Sequence, residues 1–142
     1  MSLIFNYKNI CKLTWLKRED IKSINILSEN KAEVILDDEK ILVTKNQLIP
    51  IVKETRRESA KDLSIVDKTH HGIYYVPSSK HNTLYRVRED EGRLTCECYD
   101  YQNLNEQVTD RQMGCKHVYA VLSELGYSSL EKYIEDSRSI AY

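Results

Sequence analysis

Alternating apolar and polar residues predict three short strands in the first third of the chain. Residues 21–27, 32–36 and 41–44 alternate in this way and are rich in Ile and Val. Polar turn sequences at 28–31 and 37–40 separate them. β-branched residues favour strands, and short polar connections join antiparallel neighbours. The pattern therefore indicates a three-stranded antiparallel meander.

Helical patterns are expected on both sides of this meander. Residues 9–16 mix apolar and polar positions and suggest a short helix or a helix-turn. From Asn46 to about Leu63, apolar residues recur at helical spacing among many charges. Asn46 has the chemistry of an N-cap, and Pro50 falls near the first turn, where its missing backbone N–H costs little. Residues 1–66 are thus expected to form an amino-terminal αβ unit.

The second half of the chain also begins with strand patterns. Residues 73–76, 84–88 and 93–98 are predicted to form an antiparallel set, because turn-forming residues lie between them. The spacer at 99–114 is mostly polar, so a surface loop with room for one helical turn is expected there.

Two helices are predicted to follow the spacer. The first has apolar residues at helical spacing and ends at a glycine: Val118, Val121, Leu122, Leu125 and Gly126. Ser128 or Ser129 would cap the second helix. The predicted fold class is α+β: an amino-terminal antiparallel β-meander plus helix, then residues 67–142 as a strand-strand-helix unit with a trailing helix.

Composition narrows the class of protein. The 142 residues are 30% charged with a formal net charge of −1. No apolar run approaches the ~18 residues that a membrane span needs, and the first residues do not resemble a secretory signal. We therefore expect a cytoplasmic protein without a membrane partner. Nucleic acid, if bound, would need a local basic patch, because the whole chain is not basic.

Two closely spaced pairs, Cys96/Cys98 and Cys115/His117, have the chemistry of a zinc site. Zn²⁺ prefers thiolate and imidazole, and four protein ligands close its tetrahedral shell. Residues i and i+2 of an extended chain point to the same side, so Cys96 and Cys98 can share one ion while Glu97 faces away. Cys115 and His117 can do so if Cys115 precedes a helix and His117 lies in its first turn. One structural zinc ion is predicted.

Other uses of the cysteines and histidines are less favoured. Two disulfides or a redox dithiol are the alternatives, but a reducing compartment and the ligand pattern favour metal. Cys11 is expected to be a small buried apolar residue. The adjacent His70 and His71 are interpreted as loop residues, because neighbours on an extended chain point in opposite directions.

The Cys-x-Cys and Cys-x-His pairs, with strands before them and a helix after them, resemble the SWIM-type zinc finger over about residues 72–126. The resemblance implies that Cys96, Cys98, Cys115 and His117 are the ligands. It also implies nucleic-acid binding, by association with transposases, chromatin remodellers and recombination accessory proteins. The tail from Leu125 to Leu130 is further similar to small cyanobacterial proteins with this finger.

The expected function is that of a zinc-stabilised nucleic-acid-binding accessory protein, with DNA favoured. Basic side chains that could form one face are Lys80, Arg86, Arg88, Arg93, Arg111 and Lys116. Tyrosines that could stack on unpaired bases are Tyr74, Tyr85, Tyr99 and Tyr101. Two simpler interpretations stay open: Lys116 and Arg111 could merely offset the anionic metal centre, and the strand tyrosines could pack in the core.

A second function class is a protein–protein interaction adaptor in which the zinc finger is purely structural. A large exposed apolar patch would favour that class, and a basic patch would favour nucleic acid. An enzyme is not expected. A catalytic zinc keeps one position open for water, whereas four ligands are present here. The sequence contains neither a Gly-rich phosphate loop nor a His-Glu-x-x-His motif, and no small-molecule substrate is predicted.

Overall fold

The computed structural model confirms the α+β class. It describes residues 2–69, 71–78, 83–90, 92–107 and 113–140, without the side chains of 105–107 and 138–140. The chain divides into two compact units, Met1–Thr55 and Arg56–Tyr142. The boundary at 66/67 that the sequence suggests stays a prediction.

The first unit contains the predicted meander. Its strands are β1 (Ser23–Ser28), β2 (Lys31–Ile35) and β3 (Lys40–Thr44), antiparallel and in the order β1-β2-β3. Before them lies α1 (Tyr7–Thr14), and after them begins α2 (Lys45–Ala60). Each of these elements except β1 contributes fully buried apolar side chains, so the small core of this unit lies under β2 and β3.

The start of α2 differs from the expectation. Thr44 caps the helix: its Oγ1 accepts from the backbone N–H of Gln47 at 3.3 Å, and Gln47 Oε1 accepts from the N–H of Thr44 at 2.9 Å. Asn46 is therefore inside the first turn and is not the cap. Pro50 lies inside the helix, one turn later than predicted. The reciprocal Thr–Gln bonds satisfy two backbone donors and move the helix start towards β3.

The second unit contains a four-stranded antiparallel sheet. Its strands are β4 (Asp67–Lys68), β5 (Ile73–Pro77), β6 (Leu84–Asp90) and β7 (Arg93–Cys96), in that order. The strands β5 to β7 confirm the prediction. The segment Asp67–Lys68, for which no strand was predicted, pairs with Tyr74 and Tyr75 as a two-residue edge strand.

Three helices complete the second unit. They are α3 (Tyr99–Gln107), α4 (Lys116–Glu124) and α5 (Leu130–Ile140). The length of α3 contradicts the predicted surface loop. The side chain of Leu104 is only 2% exposed, so a single buried leucine gives this polar helix a face that packs in the protein.

The end of α4 and the start of α5 follow the signals predicted from the sequence. The backbone N–H of Gly126 donates to Ser123 and that of Tyr127 donates to Leu122, with Gly126 at a φ of 85°. This is a Schellman ending, in which the left-handed position favours glycine. Ser129 Oγ then accepts from the N–H of Lys132 at 3.1 Å, so Ser129 rather than Ser128 caps α5.

The core of the second unit lies between α4 and one face of the sheet, which we call the inner face. Alternate strand residues meet the buried side of the helix there: Val76, Val87, Leu94, Val118, Val121 and Leu122. The opposite, outer face carries the remaining strand residues. None of the described helices is long and apolar enough to cross a bilayer.

Candidate metal centre

The four predicted ligands meet where β7 ends and α4 begins. Cys96 is the last residue of β7, and Cys98 lies in the turn before α3. Cys115 is the N-cap of α4 and His117 is in its first turn, as the i, i+2 spacing predicted. All four residues are buried, and their ligand atoms lie within 4.8 Å of one another.

The distances fit a four-coordinate ion. His117 Nδ1 lies 3.8 Å from Cys96 Sγ and 3.7 Å from Cys115 Sγ. With Zn–S of about 2.3 Å and Zn–N of about 2.0 Å, a tetrahedral site would separate sulfur from nitrogen by about 3.5 Å. The ring nitrogen that faces the sulfurs is therefore Nδ1. The other nitrogen, Nε2, is buried and has no hydrogen-bond partner among the described groups.

Neighbouring groups fix the ligands in place. The backbone N–H of Tyr101 donates to Cys98 Sγ at 3.4 Å, because α3 begins directly after this cysteine. The ring of Tyr85 packs on the imidazole of His117 with a centroid distance of 4.8 Å. A Cβ on Gly114 would lie 2.7 Å from Cγ1 of Val118, so glycine is needed where the chain approaches Cys115. These three contacts restrain Cys98, His117 and the backbone before Cys115.

Hydrogen bonds among the sulfurs separate their pKa values. Thiols of Cys115 and Cys96 donate to Cys98 and hold its pKa far below the ordinary value of a thiol. Burial raises the pKa of Cys115 well above that value. A hydrogen bond with Cys115 lowers the pKa of Cys96, but the bond with Cys98 and burial outweigh it and raise that pKa to about 12. Without a metal, these hydrogen bonds favour the thiolate on Cys98 and the thiols on Cys96 and Cys115.

Glu97 lies between two ligands and points away from the cluster, as predicted. Its carboxylate accepts from Arg86 Nη2 at 3.1 Å and from Arg86 Nε at 3.3 Å. The hydrogen bond from Arg86 lowers the pKa of Glu97. A bidentate arginine–carboxylate pair thus joins β6 to the Cys-x-Cys turn.

The outer sheet face collects three of the six predicted basic residues. Arg86, Arg88 and Asp90 are each two residues apart on β6. Arg93 lies directly opposite Asp90 on the neighbouring strand β7. Side chains two apart, and those directly opposite in an antiparallel pair, point to one side of a sheet. All three arginines are exposed. Together with Tyr75, which is paired with Arg86, we call them the arginine face.

Of the other three predicted basic residues, the structure describes only Lys116, which does not join this face. Lys116 is the half-buried first residue of α4, which packs on the inner face. Lys80 and Arg111 lie outside the described residues. The adjacent His70 also lies outside them, and the exposed His71 does not belong to the cluster.

The four predicted tyrosines divide between core and surface. Tyr74 is buried, Tyr85 packs on His117, and Tyr101 donates to the carbonyl of Leu94 at 3.3 Å, as the packing interpretation expected. Only Tyr99 is largely exposed, at 78%. Sequence reasoning missed Tyr75, although its alternation with Tyr74 along β5 could have placed it on the outer face.

The cysteines form no disulfide, and all four lie within the described part of the chain. Cys11 is partly exposed rather than buried, because it lies on the side of α1 next to exposed Lys12. Comparison of the chain with protein-family models, with curated proteins and with solved structures gives no significant match. The interpretation of the cluster therefore depends on its own residues and geometry.

Proposed function

We propose that Cys96, Cys98, Cys115 and His117 hold one zinc ion with a structural role. The donor set is the one that structural zinc sites use, and its four members leave no position for a reacting water. The sulfur-to-nitrogen separations of 3.7 and 3.8 Å are within about 0.3 Å of a tetrahedral zinc site. Three thiolates in one cluster would repel one another, and a divalent cation would offset most of their negative charge.

We further propose that the second unit is a SWIM-type zinc finger. Two features support this assignment: the Cys-x-Cys pair follows a strand of an antiparallel sheet, and the Cys-x-His pair opens the helix that packs on that sheet. In such an arrangement the ion joins strand to helix. The helix α3 between the two pairs is an addition to that scheme.

On this scaffold we propose a nucleic-acid-binding function, with DNA as the favoured ligand. The observation that carries it is the arginine face: three exposed guanidinium groups on one side of a sheet whose other side forms the core. Arginines contact phosphates, and a half-buried tyrosine among them offers an aromatic surface to a base. Asp90 lies opposite Arg93 and Glu97 is paired with Arg86, so the proposal relies on direct contacts between arginines and phosphates rather than on a strongly basic surface.

A titration tests this proposal. The zinc-loaded protein is mixed with labelled single-stranded DNA, duplex DNA and RNA at low and near-physiological salt. We expect micromolar or tighter binding that weakens as salt increases, because phosphate contacts release counterions. The variant Arg86→Gln/Arg88→Gln/Arg93→Gln should bind duplex DNA at least ten-fold more weakly. A matched variant, Lys22→Gln/Lys31→Gln/Lys40→Gln, removes three exposed charges from the first unit and should bind normally.

A second candidate is the protein-interaction adaptor. Leu84 is exposed and lies on the outer face in line with Arg86 and Arg88, so that face also presents apolar surface. A complete lack of binding to all three nucleic acids, with a folded and zinc-loaded protein, would reject the nucleic-acid function and favour the adaptor.

A further inference from the structure

Trp15 has a conformation and an exposure that are unusual for tryptophan. It follows the last residue of α1 with a φ of 65° and a ψ of 11°, in the left-handed region. It is the only non-glycine residue with positive φ in the described part of the chain. Glycine and asparagine are the usual residues there, because a bulky side chain is strained. The indole is also 92% exposed, so burial does not compensate for this strain.

Hydrogen bonds on both sides hold the backbone of Trp15 in this conformation. Its N–H donates to the carbonyl of Cys11 at 2.9 Å and closes the helix. Thr14 Oγ1 donates to the carbonyl of Ile10 at 2.7 Å and accepts from the N–H of Leu16 at 3.3 Å. The turn therefore fixes the base of an indole that projects into solvent. Strain of this kind, where the surroundings maintain it, is typical of functional positions.

Basic residues are concentrated on both sides of Trp15, before the acidic Glu19 and Asp20 that follow in the chain. The first 18 residues contain four basic side chains, Lys8, Lys12, Lys17 and Arg18, and no acidic one. The chain as a whole has a net charge of −1, so this segment is a local exception. Lys8 and Lys12 follow the i, i+4 spacing and therefore lie on one side of α1, and Trp15 directly follows the last turn of that helix.

These cations are available at the surface. Lys8, Lys12 and Lys17 are exposed. Lys12 Nζ uses one of its three protons in a bond to Thr55 Oγ1 at 3.0 Å. Arg18 lies over the ring of Tyr7 at 3.5 Å and is less free to move. Exposed lysines thus lie on α1 and on both sides of the exposed Trp15 along the chain.

We propose that Trp15, the lysines of α1 and the nearby Lys17 form a binding site for single-stranded nucleic acid. An unpaired base would stack on the indole, and Lys8, Lys12 and Lys17 would contact the neighbouring phosphates. Stacking needs an unpaired base, so duplex DNA would bind this site less well. The site belongs to the first unit and does not depend on the arginine face.

The protein contains its own reporter for this site. Trp15 is the only tryptophan of the chain, so tryptophan emission observes this residue alone. We expect an oligothymidylate to quench the emission at low salt and added salt to restore it. Anisotropy of the same labelled oligonucleotide gives the affinity in parallel.

The variant Trp15→Gly separates binding from folding. Glycine adopts the left-handed conformation without strain, so the variant should melt at the same temperature as the natural protein or higher. Its affinity for the oligonucleotide should nevertheless decrease by about 5- to 100-fold, which is the usual effect of losing one stacked base. Trp15→Phe should keep part of the affinity, and Lys8→Gln/Lys17→Gln should weaken the salt dependence.

Each alternative gives a different result. Unchanged affinity in Trp15→Gly, or binding without quenching, would overturn the proposed site. A blue shift with anionic vesicles and no response to the oligonucleotide would indicate a membrane surface instead, and would overturn it as well. Quenching that persists in the triple arginine variant would support the Trp15 site, even if the arginine face proves not to bind nucleic acid. The reverse result, loss of binding only in the arginine variant, would support the proposed function and reject this inference.

Discussion

Arg86 and Glu97 form a bidentate pair across β6 and the Cys-x-Cys turn, with Nη2 at 3.1 Å and Nε at 3.3 Å from the two carboxylate oxygens. Glu97 stands between two of the four cluster residues, and Arg86 is one of the three residues of the proposed nucleic-acid surface. The pair therefore connects the two proposals, and it also reduces the positive charge that Arg86 offers to a phosphate.

The first prediction concerns this pair. Glu97→Gln should tighten the binding of DNA by about three-fold at low salt, because it frees one guanidinium and removes an opposing charge. Arg86→Gln should have the opposite effect. Glu39→Gln, which removes the same charge from an exposed position in the first unit, is the control. Equal affinities for Glu97→Gln and the natural protein would exclude Arg86 as a phosphate contact.

The second prediction concerns the ligands. Cys98→Ser or His117→Ala should release the metal. Because metal binding contributes directly to folding, each variant should also lower the free energy of unfolding of the second unit by roughly several kcal/mol. Elemental analysis and thermal melting measure these two effects. Cys11→Ser is the matched control, because Cys11 is a partly exposed cysteine outside the cluster. Unchanged zinc content and melting in the ligand variants would refute the assignment.

The third prediction concerns pH. In the metal-free protein Cys98 is already a thiolate, whereas the raised pKa values of Cys96, about 12, and Cys115 keep both protonated at neutral pH. Zinc binding should therefore release about two protons, and zinc affinity should increase by about 100-fold per pH unit near neutral pH. Calorimetry in buffers with different ionisation enthalpies measures the proton number. Release of three protons would show that Cys98 is not preionised.

The fourth prediction concerns the approach to Cys115. Gly114→Ala should destabilise the second unit by about 1–3 kcal/mol, because the added methyl group would lie 2.7 Å from Cγ1 of Val118. Val118→Ala alone creates a cavity in the core and should also destabilise. If the clash is the cause, the double variant Gly114→Ala/Val118→Ala should lose less stability than the sum of the losses in the two single variants. Strict additivity would point to a backbone effect of Gly114 instead.

Local patterns in the sequence were sufficient for the strands and for the ligand placement. The i, i+2 spacing of Cys96 and Cys98 requires an extended chain, and the spacing of Cys115 and His117 requires a helix start between them, as the structure has them. These are constraints between near neighbours, which a sequence displays directly.

Features that depend on distant contacts were missed. The sequence of α3 is typical of a polar loop. The helix is stabilised by the burial of Leu104 and by the ion pair between Asp100 and Arg56, a residue near the end of α2, at 2.8 Å. The left-handed turn at Trp15 gave no signal, because tryptophan is not a residue that predicts such a turn.

The pairs of cluster residues belong to different elements, β7 and α4, with α3 between them. A bound ion would therefore close a loop and remove entropy from the unfolded chain, much as a covalent cross-link does. The cost of closing a loop increases only with the logarithm of its length, by about 0.6 kcal/mol for each doubling. A longer stretch between Cys98 and Cys115 should therefore cost the second unit little additional closure entropy, provided that α3 and its contacts are kept.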